Sequence, residues 1–378
     1  MTLHLLLIIF ALIASSACGF FFIPGILSFC KEKGLYDIPN PRKIHNINNV
    51  PRLGGISFVP SMLVAFLIAL MVFDQMMGKN HLIISLWTCS FVVSILLIYG
   101  IGIIDDLIGL NAPIKFAVQI LAAGLIPFSG LYINNLYGLC GIEEIPFWIG
   151  CPLTIFVMVF ITNAINLIDG IDGLCSGLSF LALGVFLISF LREGMYLYCI
   201  LIAGVMGVLI PYFYFNVFGD ASKNRKSFMG DSGSLSLGFI LAFLFTKYAM
   251  NNPLVMPFRM SGLLLPYTLL IVPVFDVARM IIVRTLHHKA IFSADKNHIH
   301  HKLLRAGLNQ HQALVAILAL ALCFIVLNIS LFYFTDITLI IAIDVVCYIL
   351  FHQVLNQRLK AQGQDVFSMN PKEIRKEK

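Results

Sequence analysis

The chain has 378 residues, 59% of them hydrophobic and only 12% charged, with a mean hydropathy of +0.92. A soluble domain carries roughly twice that charged fraction, so the composition excludes a water-soluble globular enzyme and gives a polytopic membrane protein. The net charge of +6 sits in short segments between apolar runs, which suits anionic lipid headgroups rather than nucleic acid.

A helix needs about 20 mostly apolar residues to cross a bilayer. Such runs fall at 3–29, 54–77, 82–104, 113–133, 147–167, 173–191, 195–217, 232–249, 262–283, 312–331 and 335–354. They predict an all-α polytopic membrane protein of about ten or eleven transmembrane helices. One polytopic domain covers 1–355, and 356–378 form a basic, flexible tail. The first run is too long for a signal peptide and lacks a basic leader, so it counts as a span. The nine cysteines contain no C-x-x-C pair and read as small apolar packers.

Twenty of the 25 Lys and Arg lie in alternate connections, at 30–53, 105–115, 218–231, 284–311 and after 355, with 168–172 on the same side. The positive-inside bias makes these cytoplasmic, with the N-terminus outside and the C-terminus inside. The chemically suggestive stretches fall on that side too: "DIPNPRKIHNINNVPRLGG" (37–55), "GIIDDLIGLNAPIK" (102–115), "NAINLIDGIDGL" (163–174), "FMGDSGSLSLG" (228–238) and "FSADKNHIHHKLL" (292–304). A one-sided cluster points to chemistry at a membrane face with a cytosolic reactant. A transport path would place polar groups at mid-depth.

Adjacent Asp105 and Asp106 repel unless a cation or proton sits between them, so they read either as solvated helix-stopping charges or as a cation site or base. Lys115, at the start of the next run, is placed to contact phosphates beside them. Asn163, Asn166, Asp169 and Asp172 recur every three residues, on one slowly drifting helix face; their oxygens suit a hard cation or the polar edges of a nucleotide. In "MGDSGS", Asp231, Ser232 and Ser234 read as helix caps. Equally, they read as a phosphate site at a helix start, with a carboxylate able to hold Mg²⁺. His298 and His301 are three apart and fit phosphate binding or base stacking better than zinc, for which no H-E-x-x-H or cysteine partner exists. No G-x-x-x-x-G-K-[ST], G-x-G-x-x-G or G-x-S-x-G occurs.

In order, "PRLGG", "DD", "NAINLIDGIDGL", "FMGDSGSLSLG" and "ADKNHIHHKLL" resemble the polyprenyl-phosphate N-acetylhexosamine-1-phosphate transferases (glycosyltransferase family 4), over about residues 37–305. The "HIHH" looks like the branch that makes undecaprenyl-linked GlcNAc. The resemblance implies transfer of N-acetylhexosamine-1-phosphate, by default GlcNAc-1-phosphate, from a UDP-N-acetylhexosamine to undecaprenyl phosphate, releasing UMP. It also implies Mg²⁺ or Mn²⁺, a cytoplasmic-facing groove, a bacterial cytoplasmic membrane and, by analogy, a homodimer. Asp231 and Asn166 match its metal site, and Asp105 and Asp106 its lipid-phosphate and metal pair. Lys115 matches a phosphate-contacting lysine, Asp169 and Asp172 the nucleoside-side acids, and His298, His300 and His301 the loop bounding the nucleotide-sugar. The loop histidines and Lys115 are expected to add positive charge. Within the superfamily the alternative is the phospho-MurNAc-pentapeptide transferase. From another class it is a cation-coupled transporter, using Asp276 and Asp344 inside apolar runs as ion sites.

Overall fold

The computed structural model describes residues 2–36, 50–77, 85–223, 225–290 and 296–367. The stretches 37–49 and 292–295 of the suggestive segments, and 368–378 of the tail, lie outside the described residues. Among those described there are thirteen α-helices and one small hairpin. The helices are α1 Thr2–Lys33, α2 Phe58–Met77, α3 Leu86–Ile108, α4 Ala112–Phe128, α5 Phe147–Ile168, α6 Leu174–Arg192, α7 Tyr196–Phe213 and α8 Gly230–Ala249. They continue with α9 Leu264–Leu269, α10 Ile271–Leu286, α11 Ile299–Arg305, α12 Gln310–Leu331 and α13 Ile337–Ala361.

Nine of these helices are long and apolar enough to cross a membrane, and α4 is a shorter apolar helix. Inside hydrocarbon every backbone polar group must be satisfied within its own segment, and a helix does that. Their outer faces carry large exposed apolar side chains, such as Phe21, Phe156, Val326 and Val354. The chain is therefore a multi-pass membrane protein. The expected span 262–283 is instead two short helices, α9 and α10, separated at Leu270. Pro273 explains the break, because its ring clashes with the carbonyl four residues back, at Leu269. The 113–133 run also stops early, at Phe128, where Pro127 precedes a Ser129–Gly130 turn. At the other end of α13 the helix runs to Ala361, beyond the expected boundary at 355.

Helix α8 is the axis of the bundle: each residue from Ser232 to Ala249 is buried. Its small residues let neighbours come close, as in other membrane helix interfaces. A Cβ at Gly238 would meet the Thr162 backbone of α5, and one at Gly102 of α3 would lie 2.5 Å from the Ser232 Cα. The connections with the suggestive motifs gather at one end of the bundle, where α8 starts and α3 and α5 finish. The opposite end carries the antiparallel hairpin β1 (Asn135–Leu139) and β2 (Ile142–Glu144).

Candidate active site

The start of α8 is held by two other segments. Residues 51–55, the "PRLGG" stretch, lie alongside 228–229 as a backbone pair: Phe228 N–H donates to Pro51 O, Gly54 N–H to Phe228 O and Gly55 N–H to Met229 O. Gly54 and Gly55 make this possible, since a Cβ at either would run into Ser227 or Gly233. From α3, Asp106 accepts the Asp231 N–H at 2.7 Å and the Ser232 N–H at 2.9 Å, one on each carboxylate oxygen. An acid at a helix N-terminus satisfies orphan donors and complements the helix dipole. The expected phosphate site on free N–H groups of "MGDSGS" is thus not free: Asp106 occupies two of them.

Capped this way, α8 turns the Asp231 side chain toward Lys115 in the first turn of α4. The Lys115 ammonium lies 2.8 Å from Asp231 Oδ2 and 3.1 Å from Asp105 Oδ2. Asp105 Oδ1 in turn accepts the Leu110 N–H at 2.7 Å. Both neighbouring aspartates accept backbone N–H groups, but only one of them meets a cation. Asp105 shares a cation with Asp231, whereas Asp106 is spent on backbone.

From α5, Asn166, which lines the cavity, donates to Asp231 Oδ1 at 3.2 Å and to Ser234 Oγ at 2.8 Å. The four side chains of "NAINLIDGID" do not converge on one point, because α5 ends at Ile168 and the helical spacing ends with it. Asn163 instead pairs with Gln119 of α4, its Nδ2 lying 2.5 Å from the glutamine oxygen. Asp172 forms an ion pair with Lys226 at 2.6 Å. Asp169 follows the helix as its C-terminal cap.

The histidines form the facing wall. His298 precedes α11, and its ring is parallel to that of His300 with centroids 5.9 Å apart; His300 and His301 are 4.2 Å apart. The loop after α5 approaches this wall so closely that a Cβ at Gly170 would overlap the His300 ring. Burial drives His300 well below the ordinary histidine range. Burial, then the positive charge of His298, Lys296 and Arg305, brings His301 down to about 4. At neutral pH these two rings are uncharged, so the expectation that all the loop histidines add positive charge fails for them. Desolvation explains it.

Asp105, Lys115, Asn166, Asp169, Asp172, Asp231, His298, His300 and His301 all line a single cavity of about 690 Å³. That size suits a small-molecule ligand. Asp106 stands behind it, at the start of α8. One side of the cavity, from α4, α5 and α10, is apolar, with Phe116, Phe156, Phe160 and Ile281. The lining also includes Arg52, Asn216 and Arg284, to which the sequence reading assigned no role. Asn216 accepts the Gly173 N–H at 2.7 Å and donates to Ser227 O at 2.9 Å, tying the loop after α5 to the segment before α8. Its signal was a lone amide inside the apolar run "YFYFNVF".

The donor set suits a hard divalent cation. Asp231 and Asn166 offer carboxylate and amide oxygens, and the Lys115 ammonium already stands between two carboxylates, where positive charge is wanted. Among the described residues no three His, Cys, Asp or Glu side chains gather to hold a metal unaided. Mg²⁺ needs no such cage, since it takes one or two carboxylates and completes its shell with water and phosphate.

Asp276 and Asp344, the acids a transporter would use, are both engaged by protein groups. Asp276 accepts from His298, Arg279 and the Ile299 N–H. Asp344 accepts from Asn328 and Tyr267.

The model of glycosyl transferase family 4 matches residues 88–249, which contain the Asp105, Lys115, Asn166 and Asp231 cluster. A decaprenyl-phosphate N-acetylglucosaminephosphotransferase of Mycobacterium tuberculosis is 32% identical over 76% of this chain and 73% of its own. An undecaprenyl-phosphate alpha-N-acetylglucosaminyl 1-phosphate transferase of Yersinia pestis is 30% identical over 75% and 73%. A probable undecaprenyl-phosphate N-acetylglucosaminyl 1-phosphate transferase of Bacillus subtilis is 29% identical over 84% and 83%. Similar in sequence to these enzymes over most of its length, the chain belongs to glycosyl transferase family 4, as a polyprenyl-phosphate sugar-1-phosphate transferase.

Proposed function

We propose that the protein transfers GlcNAc-1-phosphate from UDP-GlcNAc to undecaprenyl phosphate, giving the lipid-diphospho-sugar and UMP. The observation that carries this reading is the placement of Lys115 between Asp105 and Asp231, in the lining of a cavity with both apolar and polar walls. The likeness to relatives named for this activity supports it. The obstacle in such a reaction is the meeting of two anions, so catalysis rests on positioning and charge neutralisation.

In this reading the lipid's phosphate enters along the side of Phe116, Phe156 and Phe160, while its chain stays in the bilayer. A phosphate monoester has a second pKa of about 6, so near neutrality it presents its own nucleophilic oxygen. That oxygen attacks the β-phosphorus; the bond to the bridging oxygen of the α-phosphate breaks, and UMP leaves. No covalent enzyme intermediate is needed. Asp105 accepts any remaining proton from the lipid phosphate, and Lys115 moves its charge from the carboxylates to the entering phosphates. Asp231 and Asn166 would hold Mg²⁺, which when bound would supply positive charge against the diphosphate. Asp169, Asp172 and the histidine wall border the nucleotide-sugar. The cavity faces the cytoplasm of a bacterium, where the lysine- and arginine-rich connections lie.

Purified protein in detergent with undecaprenyl phosphate, UDP-GlcNAc and Mg²⁺ tests this by the nucleotide released. UMP that appears only when lipid and metal are both present is the expected result. Release of UDP would mean that the sugar moves without its phosphate, and the proposal would be wrong.

A further inference from the structure

Beyond the residues assigned above, one buried acid has no part in the chemistry yet touches its wall. Asp276 of α10 is wholly buried. Its Oδ2 lies 2.7 Å from His298 Nδ1, and its Oδ1 accepts from Arg279 and from the Ile299 N–H, each at 3.0 Å. We propose that Asp276 is a positioning residue for His298, fixing the ring so that Nε2 is the atom presented to the nucleotide-sugar. This rests on the proposed function and adds a residue to it.

The argument is one of hydrogen-bond valence. Asp276 is held by a guanidinium on one oxygen, and a carboxylate only accepts. The hydrogen of its bond to the ring must therefore sit on Nδ1. Nε2, across the ring, is the nitrogen left for the cavity that His298 lines. Histidines that act through one nitrogen are commonly oriented this way by an acid on the other.

The surroundings fix the pair further. Arg279 also donates to Asn297 O at 2.6 Å, and Arg305 to Asn297 Oδ1 at 3.1 Å. Lys302, one turn along α11, reaches Asn356 of α13 at 2.7 Å. The chain on both sides of His298 is thus anchored to α10 and α13. Asp276 is the group that hydrogen-bonds the ring itself, while His300 stacks parallel to it.

Asp276→Asn keeps an acceptor for the Ile299 N–H but removes the charge and offers an amide N–H to the ring. It should lower kcat/KM for UDP-GlcNAc by about 10- to 100-fold, the range for acids that orient a metal-binding histidine, with KM for the lipid unchanged. In a His298→Ala background the same change should cost under about 3-fold, because the atom it positions is gone. Equal cost in both backgrounds, or equal rises in both KM values, would make Asp276 a mere dock for α11 and overturn the proposal. Should Asp276→Asn not fold, single changes of the ring decide. Gln places its terminal amide near Nε2 and Asn near Nδ1, so His298→Gln should retain more activity than His298→Asn, and the reverse order would refute it. A wild type that releases no UMP counts against the proposed function instead. Then ¹⁵N-histidine NMR still judges the pair: His298, assigned by the signal lost in His298→Gln, should show a protonated Nδ1 that Asp276→Asn perturbs, and a bare Nδ1 would sink it.

Discussion

The two walls of the cavity are built on a common plan with different electrostatics. On the α3–α4–α8 wall, charged groups themselves face the cavity: Asp105, Lys115 and Asp231, with Asp106 behind them capping α8. On the α10–α11 wall the acid, Asp276, is behind, and imidazoles face the cavity along with Arg284, two of the imidazoles held uncharged by burial. The first wall is suited to charge, to phosphates and a divalent cation. The second is suited to hydrogen bonding and stacking against a neutral sugar or base. In each, one aspartate touches nothing that reacts and decides how another residue points.

The sharpest break between the walls should come at Asp231. Asp231→Asn is expected to lower turnover by about 10³-fold, the scale of losing a central electrostatic group, while the protein still accumulates in membranes; UMP release and membrane content check both halves. Lys115→Met should cost about 10²-fold in turnover and leave Asp105 and Asp231 facing each other without their cation, so thermal stability in detergent should fall as well.

The neighbouring aspartates separate next. Asp106→Ala should lower unfolding stability by about 1–2 kcal/mol, as lost N-terminal caps do, with a drop in turnover from the displaced Asp231. Asp105→Asn should lower turnover with little change in melting temperature. Paired melting and activity curves distinguish the two, and identical behaviour would erase the contrast drawn between them.

The smallest effect is the pH dependence that His301 gives to stability. His301 titrates at about 4 in the folded protein against 6.5 for an unperturbed histidine. Between those values the unfolded chain binds a proton that the folded one refuses, so stability falls as pH drops from 6.5 toward 4 and levels off below. His300 acts in the same direction. His301→Asn should flatten that slope of melting temperature against pH, with no change above pH 7.

Much of this was legible in the sequence, because lipid imposes helices and an apolar run of sufficient length announces itself. Local rules failed where tertiary contacts intervened. "DD" reads as a pair, yet only the position of α8 sends one carboxylate to backbone and the other to Lys115. The spacing in "NAINLIDGID" reads as one face, but the helix ends inside it, at Ile168. "PRLGG" gave no physical signal of its own; its glycines matter because a second strand of backbone lies against them. Asp276 read as an ion site because its partners, Arg279 aside, come from a segment more than 20 residues away.

The central claim, that phosphate moves together with the sugar, is tested most directly by following the β-phosphorus. With UDP-GlcNAc carrying ³²P at the β-position, undecaprenyl phosphate and Mg²⁺, the account predicts label in the lipid-extractable product at one equivalent per sugar, and unlabelled UMP. Sugar in the lipid fraction with the label still in nucleotide would contradict it.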